Sequence, residues 1–107
     1  NDLSYTWGGS YGFVTGLTLS TNWSMWTLKT VSTQQTTYLN LTTHVNTFSV
    51  INPSTALNVF DLGRDNYDSF NRTFKGDIGP CLMYNRALSN DEITTIYNYF
   101  KPIYGLP

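Results

Sequence analysis

Charge is scarce in this chain. Lys, Arg, Asp and Glu make up 12% of its 107 residues and balance to a net charge of −1, against an ordinary share of about 25%. With no basic excess there is no electrostatic footprint for nucleic acid or for an anionic membrane surface. Cysteine is nearly missing too: Cys81 stands alone, so no internal disulfide can form. His44 is the single histidine, and one of each is too few for a zinc site or a Cys–His pair held by a third group. No apolar run approaches the ~18 residues of a membrane span, so membrane insertion is not expected. Glu92 is the only glutamate, which leaves little for acid–base chemistry.

What is present is aromatic and strand-like. Aromatic residues are 16% of the chain, which argues for a well-filled core and against disorder. Threonine far outnumbers lysine, and β-branched residues fit strands better than helices. The length allows one domain with one core. Asn1 to Ser10 reads as a polar lead-in closed by Gly8-Gly9. Tyr11, Phe13, Thr15, Leu17 and Leu19 then alternate with smaller residues, a period of two that predicts a strand. A second strand runs from Met25 to Thr30, ending near Ser32-Thr-Gln-Gln35, and a third from Thr36 to Thr43 with Tyr38-Leu39-Asn40-Leu41 at its centre. Phe48, Val50 and Ile51 mark a fourth, cut by the turn-former Asn52-Pro53-Ser54. Leu57 to Gly63 is a fifth, and Phe74 to Tyr84 a sixth with a bulge at Gly79-Pro80 to correct its phase.

The clearest local signal follows. Ser89 and Glu92 have capping-box spacing, and Leu88 and Ile93 hold the staple positions on either side. Asp91 and Glu92 sit where the helix dipole favours carboxylates. Ile93, Ile96, Tyr97 and Phe100 form one apolar stripe at helical spacing. Pro102 is expected to stop the helix, since the residue before a proline is pushed out of the α region.

Phe74-x-Gly76-x-Ile78, then Tyr84-Asn-Arg-Ala-Leu-Ser89-x-x-Glu92-Ile93, resembles the closing signature of laminin-G-like domains of the concanavalin A-like superfamily. Leu62-Gly63-Arg64, and more distantly Trp26 and Tyr38-Leu39-Asn40, are similar to earlier motifs of that family. The tail from Ile96 to Leu106 resembles such domains in virion proteins of phages and large DNA viruses. The resemblance covers residues 57–100. It implies an all-β fold: an antiparallel β-sandwich, the concanavalin A-like jelly roll, with one short α-helix near the C-terminus. Opening strands of the family pattern are not seen, so residues 1–107 are expected to be one domain incomplete at its N-terminus, a fragment of a larger polypeptide. An extracellular or virion-surface location follows from the same likeness.

The loop Asp61 to Arg72 concentrates functional side chains. Asp61, Asp65 and Asp68 offer the oxygens that Ca²⁺ requires, although the spacing is not that of an EF-hand. Asp65, Tyr67, Asp68, Asn71 and Arg72 equally suit a glycan, with Tyr67 covering its apolar face and the others hydrogen-bonding its hydroxyls. The plain alternative is a solvated loop whose Asp and Asn side chains make local turns. Trp23, beside a turn, could stack on a sugar, whereas the strand phase of Trp26 places it in the core. Arg86 is expected to bind nearby carboxylates or carbonyls. Glycan cleavage needs two carboxylates flanking the bond. Capping already accounts for Glu92, and the superfamily's Glu-x-Asp-x-Glu arrangement is missing. The expected function is therefore a non-catalytic recognition module binding a glycan or a neighbouring protein subunit. A purely structural capsid or fibre module is the alternative, and a glycan-cleaving enzyme the minor one. If the loop holds Ca²⁺, the melting temperature rises with ligand excess; calorimetry showing neither heat nor thermal shift at millimolar Ca²⁺ removes the metal.

Overall fold

The computed structural model describes residues 3–7, 10–14, 21–47 and 74–107. The chain divides into two compact units, Asn1–Pro53 with Tyr84–Pro107, and Ser54–Met83. In the first, strands β1 (Leu3–Trp7) and β2 (Ser10–Val14) pair antiparallel from Leu3↔Val14 to Trp7↔Ser10. The stretch expected to be a polar lead-in is thus a strand. Leu3, Tyr5 and Trp7 alternate with Ser4 and Thr6, and Gly8-Gly9 is the dipeptide that a tight hairpin favours.

Strands β3 (Trp26–Val31), β4 (Gln34–Leu39) and β5 (Thr42–Thr47) form a second antiparallel sheet in that order. Its two hairpins have two-residue loops, Ser32-Thr33 and Asn40-Leu41. Ser32 (φ 52°) and Asn40 (φ 56°) take the positive φ that primed hairpin turns require of their first loop residue. The second strand lies where the sequence predicts it. The third does not: Asn40-Leu41 is a turn between two strands, not the centre of one, and Gln34-Gln35 belongs to β4 rather than to a turn. Asn decides this, because its side chain tolerates the left-handed region. It also closes the sheet. Its backbone N–H donates to the Met25 carbonyl (2.7 Å), while its Oδ1 accepts from the Met25 N–H (3.0 Å).

Helix α1 (Asn90–Tyr104) starts as the sequence predicts. The Glu92 N–H donates to Ser89 Oγ (3.1 Å), and the Ser89 N–H donates to Glu92 Oε2 (2.8 Å). Its end differs. Pro102 lies inside the last turn, and Gly105 (φ 64°) ends the helix, with its own N–H and that of Leu106 donating to the Lys101 carbonyl. Proline removes the donor for the Asn98 carbonyl, but Asn98 is exposed and water can take that place. Gly105 supplies the left-handed residue that terminates a helix without strain.

Successive side chains of a strand point to opposite faces, and β4 is buried on both. On one face Tyr38 packs with Leu88 and Ile93 of the helical segment, with Met25 and Ile96 against the cluster. The Tyr38 hydroxyl donates to Asn90 Oδ1 (2.7 Å), and Lys29 Nζ donates to the same oxygen (3.2 Å). On the other face Gln35 and Thr37 are fully buried and Leu39 nearly so. Among the described residues the Gln35 amide and Thr37 hydroxyl find no hydrogen-bond partner there.

The sixth strand and its bulge are not found. Residues 74–84 carry no strand, and Gly76, Gly79 and Pro80 are residues that weaken or interrupt one. The fourth and fifth strands and residues 15–20 lie outside the described residues. Sheet and helix together are what the described residues establish of the expected all-β class. We expect Asn40→Ala to destabilise the chain by about 2 kcal/mol, since it leaves a partly buried N–H unpaired and replaces a residue that tolerates the left-handed region by one that does not. Asn40→Gly, which relieves only the second effect, should cost about half as much. Urea midpoints at unchanged slope measure both, and equal losses would count against the turn's share.

Candidate recognition surface

The glycan residues Asp65, Tyr67, Asp68, Asn71 and Arg72, and the calcium residues Asp61, Asp65 and Asp68, lie outside the described residues. Among the described residues no group of three or more His, Cys, Asp or Glu is placed to hold a metal ion, and no helix is long and apolar enough to cross a membrane. Cys81 is exposed. Trp26 is no core residue: it begins β3 at the sheet's end and is 44% exposed. Within the second unit, Phe74, Ile78, Leu82 and Met83 are all exposed.

Two features of the first unit can meet a ligand. One is a shallow depression of about 320 Å³ beside the helix N-terminus. Leu88, Thr95 and Ile96 line it with Tyr84, and Arg86, Asp91 and Glu92 add charge. Arg86 takes the role its place in the sequence suggests. Its Nη1 and Nη2 donate to Glu92 Oε2 (2.8 Å) and Oε1 (2.6 Å), a two-pronged pair. The guanidinium, and then the Ser89 N–H, hold the Glu92 carboxyl down at about 2. The same hydrogen bond raises the pKa of Arg86. Both groups are solvent-exposed, and each is already occupied by the other.

The second feature is a row of four rings that sequence reasoning met only in part, through Trp23. Tyr99 stacks edge-on against Phe100 (centroids 5.0 Å apart, planes at 85°). Phe100 meets Tyr104 one helical turn on (6.0 Å, 46°), and Tyr104 meets Trp23, which precedes β3 (4.9 Å, 52°). Tyr99 is 67% exposed and Trp23 40%, while Phe100 and Tyr104 are half-buried. The helix creates the row by spacing: residues 100 and 104 stand one above the other, and Trp23 is carried to them by the start of β3. Nearby, Lys101 Nζ and the Tyr97 hydroxyl both donate to the Pro107 carbonyl, so the tail folds back and buries Leu106. The signal available in the sequence was the run of aromatics 97, 99, 100 and 104; its partner Trp23 required the fold.

No family model matches the chain, and no curated protein matches it. Among solved structures it is similar to an S-layer domain-containing protein (residues 221–444) from Clostridium thermocellum ATCC 27405, with a TM-score of 0.64 and 17% sequence identity. The match takes in 82% of this chain and 45% of that one, so this chain spans less than half the length of that structure. At such identity the likeness is one of fold.

The Arg86–Glu92 pair makes a pH prediction with a definite sign. A carboxyl held below its ordinary 4.5 in the folded chain contributes stability that is present above that value and lost as pH falls towards about 2. Glu92→Gln should flatten the fall in melting temperature across that window. Parallel curves for wild type and variant would contradict the assignment.

Proposed function

We propose that the chain is a non-catalytic recognition module with a laminin-G-like β-sandwich fold, displayed on the outside of a larger assembly, a virion or a cell surface. The observation that carries this reading is the four-ring row, with Trp23 and Tyr99 exposed, on two segments, 21–28 and 93–104, in which Lys101 is the one charged residue. Rigid aromatic side chains supply large contact areas at low entropic cost and dominate binding hot spots. The sandwich is supported by β4, whose two faces are both buried, one of them against α1. The outer location is supported by the fold shared with part of an S-layer domain-containing protein. Catalysis forms no part of the reading: Glu92 is fixed by Arg86 and the Ser89 N–H and ionised far below neutral pH, where it cannot supply a proton.

Partners are a glycan or a neighbouring protein. For a glycan, Asp65, Tyr67, Asp68, Asn71 and Arg72 remain the proposed polar contacts, with Ca²⁺ on Asp61, Asp65 and Asp68. Glycan and peptide arrays probed with wild type, Tyr99→Ala and Tyr67→Ala test the module. Signal lost in Tyr99→Ala assigns binding to the ring row, and signal lost in Tyr67→Ala assigns it to the loop. A wild-type protein that binds nothing on either array overturns the recognition reading in favour of a structural module.

A further inference from the structure

We propose that Asn22 is an N-glycosylation site, the acceptor in the sequence Asn22-Trp23-Ser24. This rests on the outer location proposed above and adds a covalent modification to it. An asparagine with Ser or Thr two residues on occurs at Asn22, Asn40 and Asn71, while Asn52-Pro53-Ser54 is excluded by its proline. Spacing ranks the three equally, and Asn71 lies outside the described residues. Structure separates the other two. A sugar is bulky and hydrophilic and requires a surface position. Asn22 is exposed and lies in a bend, and residues 23–25 after it carry no regular structure. The acceptor sequence therefore ends before β3 begins at Trp26, and it can enter an enzyme cleft without parting any strand pair. The Ser24 hydroxyl donates to the Asn22 carbonyl at 3.5 Å, a contact long enough to be given up cheaply. Asn40 is the opposite case. It is half-buried at positive φ, with its N–H and its Oδ1 both bonded to Met25. Thr42, the hydroxyl residue of its acceptor sequence, is already paired with Leu39 in the sheet. Presenting Asn40 to an enzyme would open the turn that closes the sheet.

The sugar donor is a lipid-linked sugar phosphate. A bond forms between Asn22 Nδ2 and C1 of the first sugar, and the bond from that C1 to the phosphate oxygen breaks. The lipid phosphate leaves with the electron pair, and Nδ2 gives up one proton to solvent. One amide N–H and Oδ1 remain, so the side chain still donates and accepts hydrogen bonds after the transfer. A sugar attached there starts one residue from Trp23, whose ring is exposed and offers an apolar face that the C–H groups of a sugar can cover. Trp23 is one end of the ring row and Tyr99 the other, so the graft stands at the end opposite Tyr99.

Mass spectrometry of the natural polypeptide that carries residues 1–107, isolated from its source, tests this. Cleavage after Lys29, Arg64 and Arg72 puts Asn22, Asn40 and Asn71 in different peptides. An amidase that removes N-linked sugar in heavy-oxygen water leaves a labelled aspartate wherever a sugar stood. The peptide ending at Lys29 should carry sugar and take the label at residue 22, and the peptide holding Asn40 should take none. Ser24→Ala, expressed in the same source, should lose the sugar although Asn22 is intact, and Ser24→Thr should keep it. Sugar retained in Ser24→Ala, or a label on Asn40 in place of Asn22, overturns the assignment. A bare Asn22 on a polypeptide that added protease cleaves on intact cells or particles also overturns it and leaves the outer location standing. A bare Asn22 on a polypeptide shielded from that protease sinks both.

Discussion

The contact between Tyr38 and the start of helix α1 is the joint on which the first unit is assembled. A helix of this length is marginal in water by itself and needs a surface for its apolar stripe. Tyr38 supplies it, with its ring against Leu88 and Ile93 and its hydroxyl on Asn90 Oδ1. Burying a side chain such as Ile93 contributes about 1.5–3 kcal/mol, and the hydroxyl, satisfied at the helix's first residue, costs nothing for its burial. Each side of the joint is fixed locally. Asn40 holds Met25 by both backbone groups at the sheet's end, and Met25 packs on the cluster. The Ser89–Glu92 box sets where the helix begins, and so which residues face the sheet. A slip of one residue in β4 would send Tyr38 to the opposite face and leave the stripe unpaired.

The same helix presents two surfaces of different character. At its N-terminus, carboxylate and guanidinium neutralise one another above an apolar floor, and the dipole holds Glu92 in place rather than leaving it free for a ligand. In its last three turns the helix carries one charged residue, Lys101, and Phe100 and Tyr104 continue past the buried stripe until Trp23 meets them. The proposed recognition is better served there, because desolvating rings costs far less than desolvating an ion pair. Gly105 and the returning tail keep that end ordered, with Leu106 buried and Pro107 held by Tyr97 and Lys101.

Local chemistry was legible in the sequence wherever a residue's partners lie within a few positions. The cap at Ser89, the Arg86 pairing and the second strand, expected over Met25–Thr30 and found at Trp26–Val31, all follow from spacing and composition. So do the scarcity of charge and the lack of a cysteine framework. The tertiary structure decided what depends on distant partners. Residues 74–84 have the alternation of a strand once a bulge is allowed, yet pairing with another strand is what makes one, and the described residues show no strand there. Asn40 in a run of strand-formers is a turn because Met25, fifteen residues earlier, takes both its bonds. Gln35 and Thr37 are polar letters that the fold buries, and Trp26 an apolar one that the sheet's end exposes. Pro102 stays helical because the Asn98 carbonyl that loses its donor is open to water, and Gly105 ends the helix beyond it. Periodicity fixes which side chains share a face, but only packing determines what that face meets, and the meeting of Trp23 with Tyr104 is of the second kind.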